Sequence, residues 1–85
     1  MEESNWQLSD LIKILLRMDT EEKMRNFLEG ILTPKELSEI PVRLQIVKML
    51  KEGVSQHKIA EKLKIGVATV TRGSKEIQKD KFKYI

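Results

Sequence analysis

The stretch that most constrains what this chain can fold into is Ser55 to Gln78, SQHKIAEKLKIGVATVTRGSKEIQ. Ser55 can cap a helix by accepting a hydrogen bond from an otherwise orphaned main-chain N–H. Ile59, Ala60 and Leu63 follow at helical spacing on one face. Lys64-Ile65-Gly66 interrupts the pattern, and Gly66 can take a positive φ without steric cost. A second helical period then places Val70, Gly73 and Ile77 on its inner side. Two short helices joined by a tight turn outline a helix-turn-helix, the motif that lays its second helix in the major groove of DNA.

At about 100° per residue, Val67, Ala68, Thr71, Lys75 and Gln78 fall opposite that inner side. This outer face is small, polar and basic, with no bulky group to block close approach. Thr and Lys can bond phosphates or base edges, and Ala or Val can meet a thymine methyl. Arg72 and Glu76 lie one turn apart at the border of the two faces. The competing interpretation is an ordinary amphipathic helix pair with a solvated charged side.

Charge distribution favours the DNA reading. Residues 1–52 carry eight Lys/Arg against ten Asp/Glu, whereas residues 53–85 carry eight against three. A net +5 gathered in the motif and its tail is the footprint of a phosphate-binding surface, although a solubilising basic face has the same composition. With 85 residues the chain is expected to form a single helical domain over 1–85. Its core is small, so oligomerisation is a natural way to bury more area. There is no Cys, hence no disulfide framework or thiolate metal site. No run approaches transmembrane length and no signal peptide is evident, so a cytoplasmic location is expected.

Taken in order, Met1 to Ser4 reads as a frayed arm. Trp6, Leu8, Leu11, Ile12, Leu15, Leu16 and Met18 mark a first helix whose apolar stripe is wide for a small monomer. Trp6 reads as an anchor in a core or an interface. Asp19-Thr20-Glu21-Glu22 fits a D-x-x-E start, and a second helix is expected from about Thr20 to Glu29, stopped by Gly30. Thr33-Pro34-Lys35-Glu36 is a cleaner start, with Thr33 as cap, Pro34 at the first helical position and Glu36 completing a capping box.

Pro41 lacks a donor and disfavours helix at Ile40, which predicts a break there and a fourth helix from Pro41 to Gly53. On that helix Val42, Leu44, Ile46, Val47, Met49 and Leu50 span roughly 220°, about twice what a surface helix needs. It is expected to be covered both by its own domain and by a partner chain. Arg43 projects within the apolar arc, in the first turn, where a cation opposes the helix dipole. It requires an anionic or π-rich partner, a route to water, or a salt bridge with Glu39. Lys79 to Lys83 is a basic tail, able to touch phosphates or to fray.

Leu32-Thr33-Pro34-x-x-Leu, the run Arg43 to Gly53, and above all Val67-Ala68-Thr69-Val70-Thr71-Arg72-Gly73-Ser74 resemble the tryptophan repressor family. The resemblance covers roughly Leu32 to Ile77, and the T-x-T-R-G-S string after an S-Q helix start is specific. It implies an intertwined all-α homodimer, with dimerisation helices over about 5–52 and the helix-turn-helix at about 55–78, that binds operator DNA when L-tryptophan is bound. It also implies an indole held between the guanidinium planes of Arg43 and Arg72. The ligand carboxylate would be met by Arg72 and Thr33, and the ammonium by carbonyls near Gly30 and Leu32 of the partner chain. Val47 and Gly73 match the floor. On the DNA side, Gln56, Ala68, Thr69 and Thr71 fit contact positions, while His57 and Ala60 stand where the family has basic residues.

Other positions depart from the family pattern. Glu76 replaces a serine near the ammonium; it could pair with the ligand or close the site by pairing with Arg72. Lys64 stands where a first Gly is usual, and a left-handed Lys64 would carry roughly 1 kcal/mol of strain. The family's last helix is largely absent before Ile85, which implies a smaller or differently covered dimer interface.

These readings converge on a sequence-specific transcriptional repressor with L-tryptophan as corepressor. DNA contacts are expected from Gln56, His57, Val67, Ala68, Thr69, Thr71 and Lys75. Ligand contacts are expected from Leu32, Thr33, Arg43, Val47, Arg72, Gly73 and Glu76. One alternative is a ligand-independent or differently liganded regulator of the same family, and another is a protein-interaction module using the apolar first helix. An enzyme is not expected: His57 is the single His, no Ser–His–acid set is spaced for catalysis, and the acidic residues show no metal-ligand pattern.

Overall fold

The computed structural model describes Glu2–Ile85, with side chains from Asn5 onward, as five helices and, among the described residues, no strand. They are α1 (Glu2–Arg17), α2 (Glu21–Ile31), α3 (Pro34–Lys51), α4 (Gln56–Leu63) and α5 (Val67–Gln78). The chain divides into two compact units, Met1–Leu37 and Ser38–Ile85.

In the first unit, α1 already includes Glu2, Glu3 and Ser4, so the arm expected there is helical; Met1 lies outside the described residues. Trp6 is 60% exposed and therefore anchors no core of its own chain. Leu8, Ile12 and Leu16 form an exposed stripe at i, i+4, i+8, whereas Leu11, Ile14, Leu15 and Met18 are half-buried. The cap of α2 is Thr20, whose Oγ1 accepts from the Lys23 N–H at 3.1 Å, while Asp19 is engaged with the Lys23 ammonium at 2.9 Å. Asp19 is thus not the cap that a D-x-x-E reading suggests. No fully buried residue occurs between Asn5 and Leu37.

Gly30 does not stop α2, which continues to Ile31. A glycine ends a helix by turning left-handed, and Gly30 does not have a positive φ. The stop lies in the run from Leu32 to Pro34. Leu32 is extended, and Pro34 biases Thr33 away from helix. Thr33 then opens α3 with a full capping box: Glu36 N–H donates to Thr33 Oγ1 at 3.2 Å and Thr33 N–H donates to Glu36 Oε1 at 2.8 Å.

The break expected at Pro41 is absent. α3 is one helix of 18 residues with Pro41 inside it. Proline deletes the rung to the Leu37 carbonyl and crowds that carbonyl with its ring, at a cost of about 3 kcal/mol. Burial of Ile46 and Val47 further along the same helix offsets that cost. The two compact units divide in sequence between Leu37 and Ser38. Because the helix starts at Pro34, Arg43 lies in its middle, and the unfavourable dipole placement does not arise.

The second unit holds the core. Ile46, Ile59 and Val70 are buried together, one from each of α3, α4 and α5. Val42, Met49, Leu50, Val54, Leu63 and Ile65 pack around them. The apolar arc of α3 is only partly covered: Leu44 and Ile40 remain exposed.

One device ends all three helices of this unit. Each closes in a Schellman turn, in which a left-handed residue reverses the chain and the next N–H reaches back to the carbonyl five residues earlier. After α3 the left-handed residue is Gly53 (φ +89°), with Val54 N–H donating to the Met49 carbonyl at 3.0 Å. After α4 it is Lys64 (φ +58°), with Ile65 N–H donating to Ala60 at 3.0 Å. After α5 it is Asp80 (φ +66°), with Lys81 N–H donating to Glu76 at 3.2 Å. The role assigned to Gly66 therefore falls to Lys64, two residues earlier; Gly66 is extended at φ −72° and caps α5. The basic tail does not fray, because the third turn folds it back.

Candidate functional site

The helix-turn-helix is built as its spacing implies. Ser55 Oγ accepts from the Lys58 N–H at 3.3 Å, opening α4. Ile59 and Val70, both 0% exposed, lock α4 to α5. That burial turns His57, Val67, Ala68 and Lys75 outward, all exposed; Thr69 is exposed too, on the flank of α5 that faces α3. Gln56 and Thr71 are half-buried, and they bond to each other: Thr71 Oγ1 donates to Gln56 Oε1 at 2.6 Å. Thr71 Oγ1 also lies 3.1 Å from the Val67 carbonyl. The bond ties the start of α4 to the middle of α5 and leaves the Gln56 amide N–H groups available to an acceptor. Eleven Lys/Arg against five Asp/Glu give the second unit a net +6. The surface is therefore a small, outward-facing helix on a cationic body.

Behind that surface lies a cleft of about 280 Å3 between α3 and α5. Arg43 and Val47, one turn apart on α3, meet Arg72, Gly73 and Glu76 of α5 there. Gly73 allows the two helices to approach closely, since a Cβ at that position would lie 3.0 Å from Ile46 Cγ2. Both guanidinium-bearing residues are exposed, so Arg43 reaches water and bears no burial penalty. Among the described residues neither arginine is in an ion pair. Glu76 does not close on Arg72; its carboxylate pairs with Lys79 at 3.3 Å.

Besides Ile46 of the core, two further residues line the cleft that sequence reasoning placed elsewhere or did not single out. Thr69, read as a DNA contact, is in its wall. Phe82, within the supposed fraying tail, is another wall residue. Its signal was an aromatic side chain in an otherwise basic run, but only the turn at Asp80 directs it back. Thr33 and Leu32 belong to the other compact unit. There the Thr33 hydroxyl oxygen is occupied as a helix cap, while its O–H can still donate. Among the described residues no group of His, Asp and Glu is placed to hold a metal ion.

The profile of the family described as Trp repressor protein matches residues 6–85. This chain belongs to the Trp repressor family. Among curated members named Trp operon repressor homolog, that of Vibrio atlanticus (strain LGP32) is 37% identical over 79 residues, covering 91% of this chain and 78% of the relative. That of Xylella fastidiosa (strain M23) is 35% identical over 74 residues, covering 86% and 80%. That of Photobacterium profundum is 38% identical over 76 residues, covering 88% and 72%. No solved structure gives a significant match. As a Trp repressor family member the chain is an all-α, repressor-type regulator, in a family that is regulatory and not enzymatic. None of its described helices is long and apolar enough to cross a membrane.

Proposed function

We propose that the chain is a homodimeric, operator-binding repressor whose corepressor is L-tryptophan. The observation that carries this reading is the meeting of Arg43 and Arg72 across one cleft, with Arg72 on the helix that also carries the outward DNA face. Two planar cations over an apolar floor suit a flat aromatic ring carrying a carboxylate. By the family resemblance, main-chain carbonyls near Gly30 and Leu32 of a partner chain would meet the ligand ammonium, and the Thr33 hydroxyl would donate to the carboxylate.

The mechanism follows from where the cleft lies. A ring wedged between α3 and α5 fixes the tilt of α5 against the dimer core. Two recognition helices must meet half-sites about one helical turn apart, so their tilt and spacing govern affinity. The ligand stabilises the DNA-competent arrangement only by binding it more tightly than the alternative, a coupling of about 1–3 kcal/mol. The second copy is supported by the exposed stripe Leu8, Ile12 and Leu16, by exposed Trp6, and by the lack of any fully buried side chain between Asn5 and Leu37.

Glu76 gives the cleft a carboxylate suited to the ligand ammonium. Its pair with Lys79 is exposed on the lysine side, at 65%, and yields readily to a better-placed cation. The same residue favours the second reading, a regulator that binds DNA without tryptophan or senses another cation-bearing molecule.

Calorimetric titration of L-tryptophan into the purified protein tests the first reading, with Arg72→Ala as control. Saturable heat at one site per chain, abolished in the control, is expected. No heat across the millimolar range rejects tryptophan as corepressor and leaves operator selection without ligand as the next experiment.

A further inference from the structure

The turn at Asp80 brings Phe82 to the ligand cleft, and Lys51 holds it there. Lys51 is in the last turn of α3, four residues beyond Val47 and eight beyond Arg43, on the same side of the helix. Its ammonium donates to the main-chain oxygen of Phe82 and, at 3.0 Å, to that of Ile85. The helix that supplies one arginine and the floor of the cleft therefore also ties down the segment that walls it. The tail is oriented as well as tethered: Phe82 is half-buried, whereas Tyr84 two residues later is 91% exposed.

We infer that Phe82 is a specificity-determining wall of this cleft and that Lys51 is its positioning residue. The inference rests on the tryptophan reading and deepens it. Two arginine planes accept flat rings generally: cation–π contact is strongest with an indole but also forms with a phenyl ring, so it sets no sharp limit on ring size. Discrimination by size needs an apolar boundary at a fixed distance. Among the residues lining the cleft, Phe82 is the aromatic one, and aromatic side chains supply large, rigid contact area. Phe82 bounds the cleft without filling it, since about 280 Å3 remains open beside it. That volume is at the small end for ligand pockets and suits an amino-acid-sized molecule. A two-ring indole extends further from its α-carbon than a single phenyl ring, so it reaches a wall that the smaller ring does not.

The test is calorimetric titration of L-tryptophan and of L-phenylalanine into the wild type, Phe82→Ala, Phe82→Leu, Lys51→Met and the Lys51→Met/Phe82→Ala double variant. Phe82→Ala is expected to weaken tryptophan about tenfold while changing phenylalanine little, so that the ratio of the two affinities falls by about the same factor. Lys51→Met is expected to move the ratio the same way by less. The double variant should be no worse than Phe82→Ala alone, because Lys51 acts through Phe82. Phe82→Leu keeps an apolar wall and should retain most of the preference, which preserves the test if the alanine variant folds poorly. Equal weakening of both ligands would reduce Phe82 to a structural role. Tighter tryptophan binding by Phe82→Ala would make the tail a plug, and additive effects would detach Lys51 from Phe82; each overturns the inference. A wild type that gives no heat with tryptophan rejects the corepressor reading and this inference with it. Wild-type heat left unchanged by Phe82→Ala rejects this inference alone.

Discussion

Thr71 and Gln56 are joined by a 2.6 Å hydrogen bond that runs from the second helix of the helix-turn-helix to the first residue of the first. Both residues belong to the face read as contacting DNA, yet they spend part of their bonding capacity on each other. The bond fixes the side-chain rotamers that a bound duplex would meet, and it sets the angle between α4 and α5 at the end where the chain enters the motif.

Thr71→Val keeps the shape and removes the donor. It is expected to lower stability by about 1 kcal/mol, the net value of a neutral hydrogen bond. It should weaken operator binding by more than that stability loss implies, because Gln56 is then free to rotate. Thermal melting and a binding isotherm on the same preparation separate the two effects. DNA affinity that follows stability alone would remove the positioning role.

Lys75 is exposed on the outer face of α5, one turn beyond Thr71. Lys75→Met should reduce affinity for all duplex sequences alike. The slope of log affinity against log salt concentration should become shallower by about 1. A change confined to one operator sequence would instead assign Lys75 to a base edge. An unchanged slope would take it off the phosphate surface.

Lys64 holds a left-handed conformation at φ +58° where glycine has no steric conflict. Lys64→Gly is expected to stabilise the protein by about 1 kcal/mol, which for a domain of this size raises the melting temperature by about 4 °C or more. A lower melting temperature would mean that the ordering entropy of the added glycine outweighs the relieved strain.

Leu16 is 79% exposed in the single chain and falls on the stripe shared with Leu8 and Ile12. In a monomer Leu16→Glu should be nearly silent, as surface substitutions are, within about 0.5 kcal/mol. In the proposed dimer it should cost several times that, because an apolar side chain leaves an interface and a charge enters it. Sedimentation should show dimer for the wild type and a shift towards monomer for the variant. The wild-type melting temperature should rise with protein concentration. Concentration-independent melting of a monomer would reject the second copy.

Local chemistry determined a good part of this protein. The cap at Ser55, the capping box of Thr33 and Glu36, the glycine stop at Gly53, and the inward set of Val70, Gly73 and Ile77 depend on residues within a few positions of each other. The T-x-T-R-G-S string is equally local, and with it came the family. Punctuation read residue by residue went astray at Pro41, Gly30 and Gly66. A proline removes one rung, and whether a helix survives that loss depends on what its next turns bury. Ile46 settles the question by packing against Ile59 and Val70, far along the chain. Which residue turns left-handed is likewise a property of the whole turn: Lys64 takes that conformation because the carbonyl of Ala60 must be met by Ile65. The cleft was legible as a set of matching positions but not as a shape. Arg43, Val47, Arg72, Gly73 and Glu76 come together only when α5 folds back on α3, and Phe82 joins them only because Asp80 reverses the chain and Lys51 catches it. Sequence patterns encode which elements form and which face each buries, since those depend on contacts a turn or two apart. Tertiary packing decides where a helix ends and what a cleft contains, because those are set by competition between elements distant in the chain.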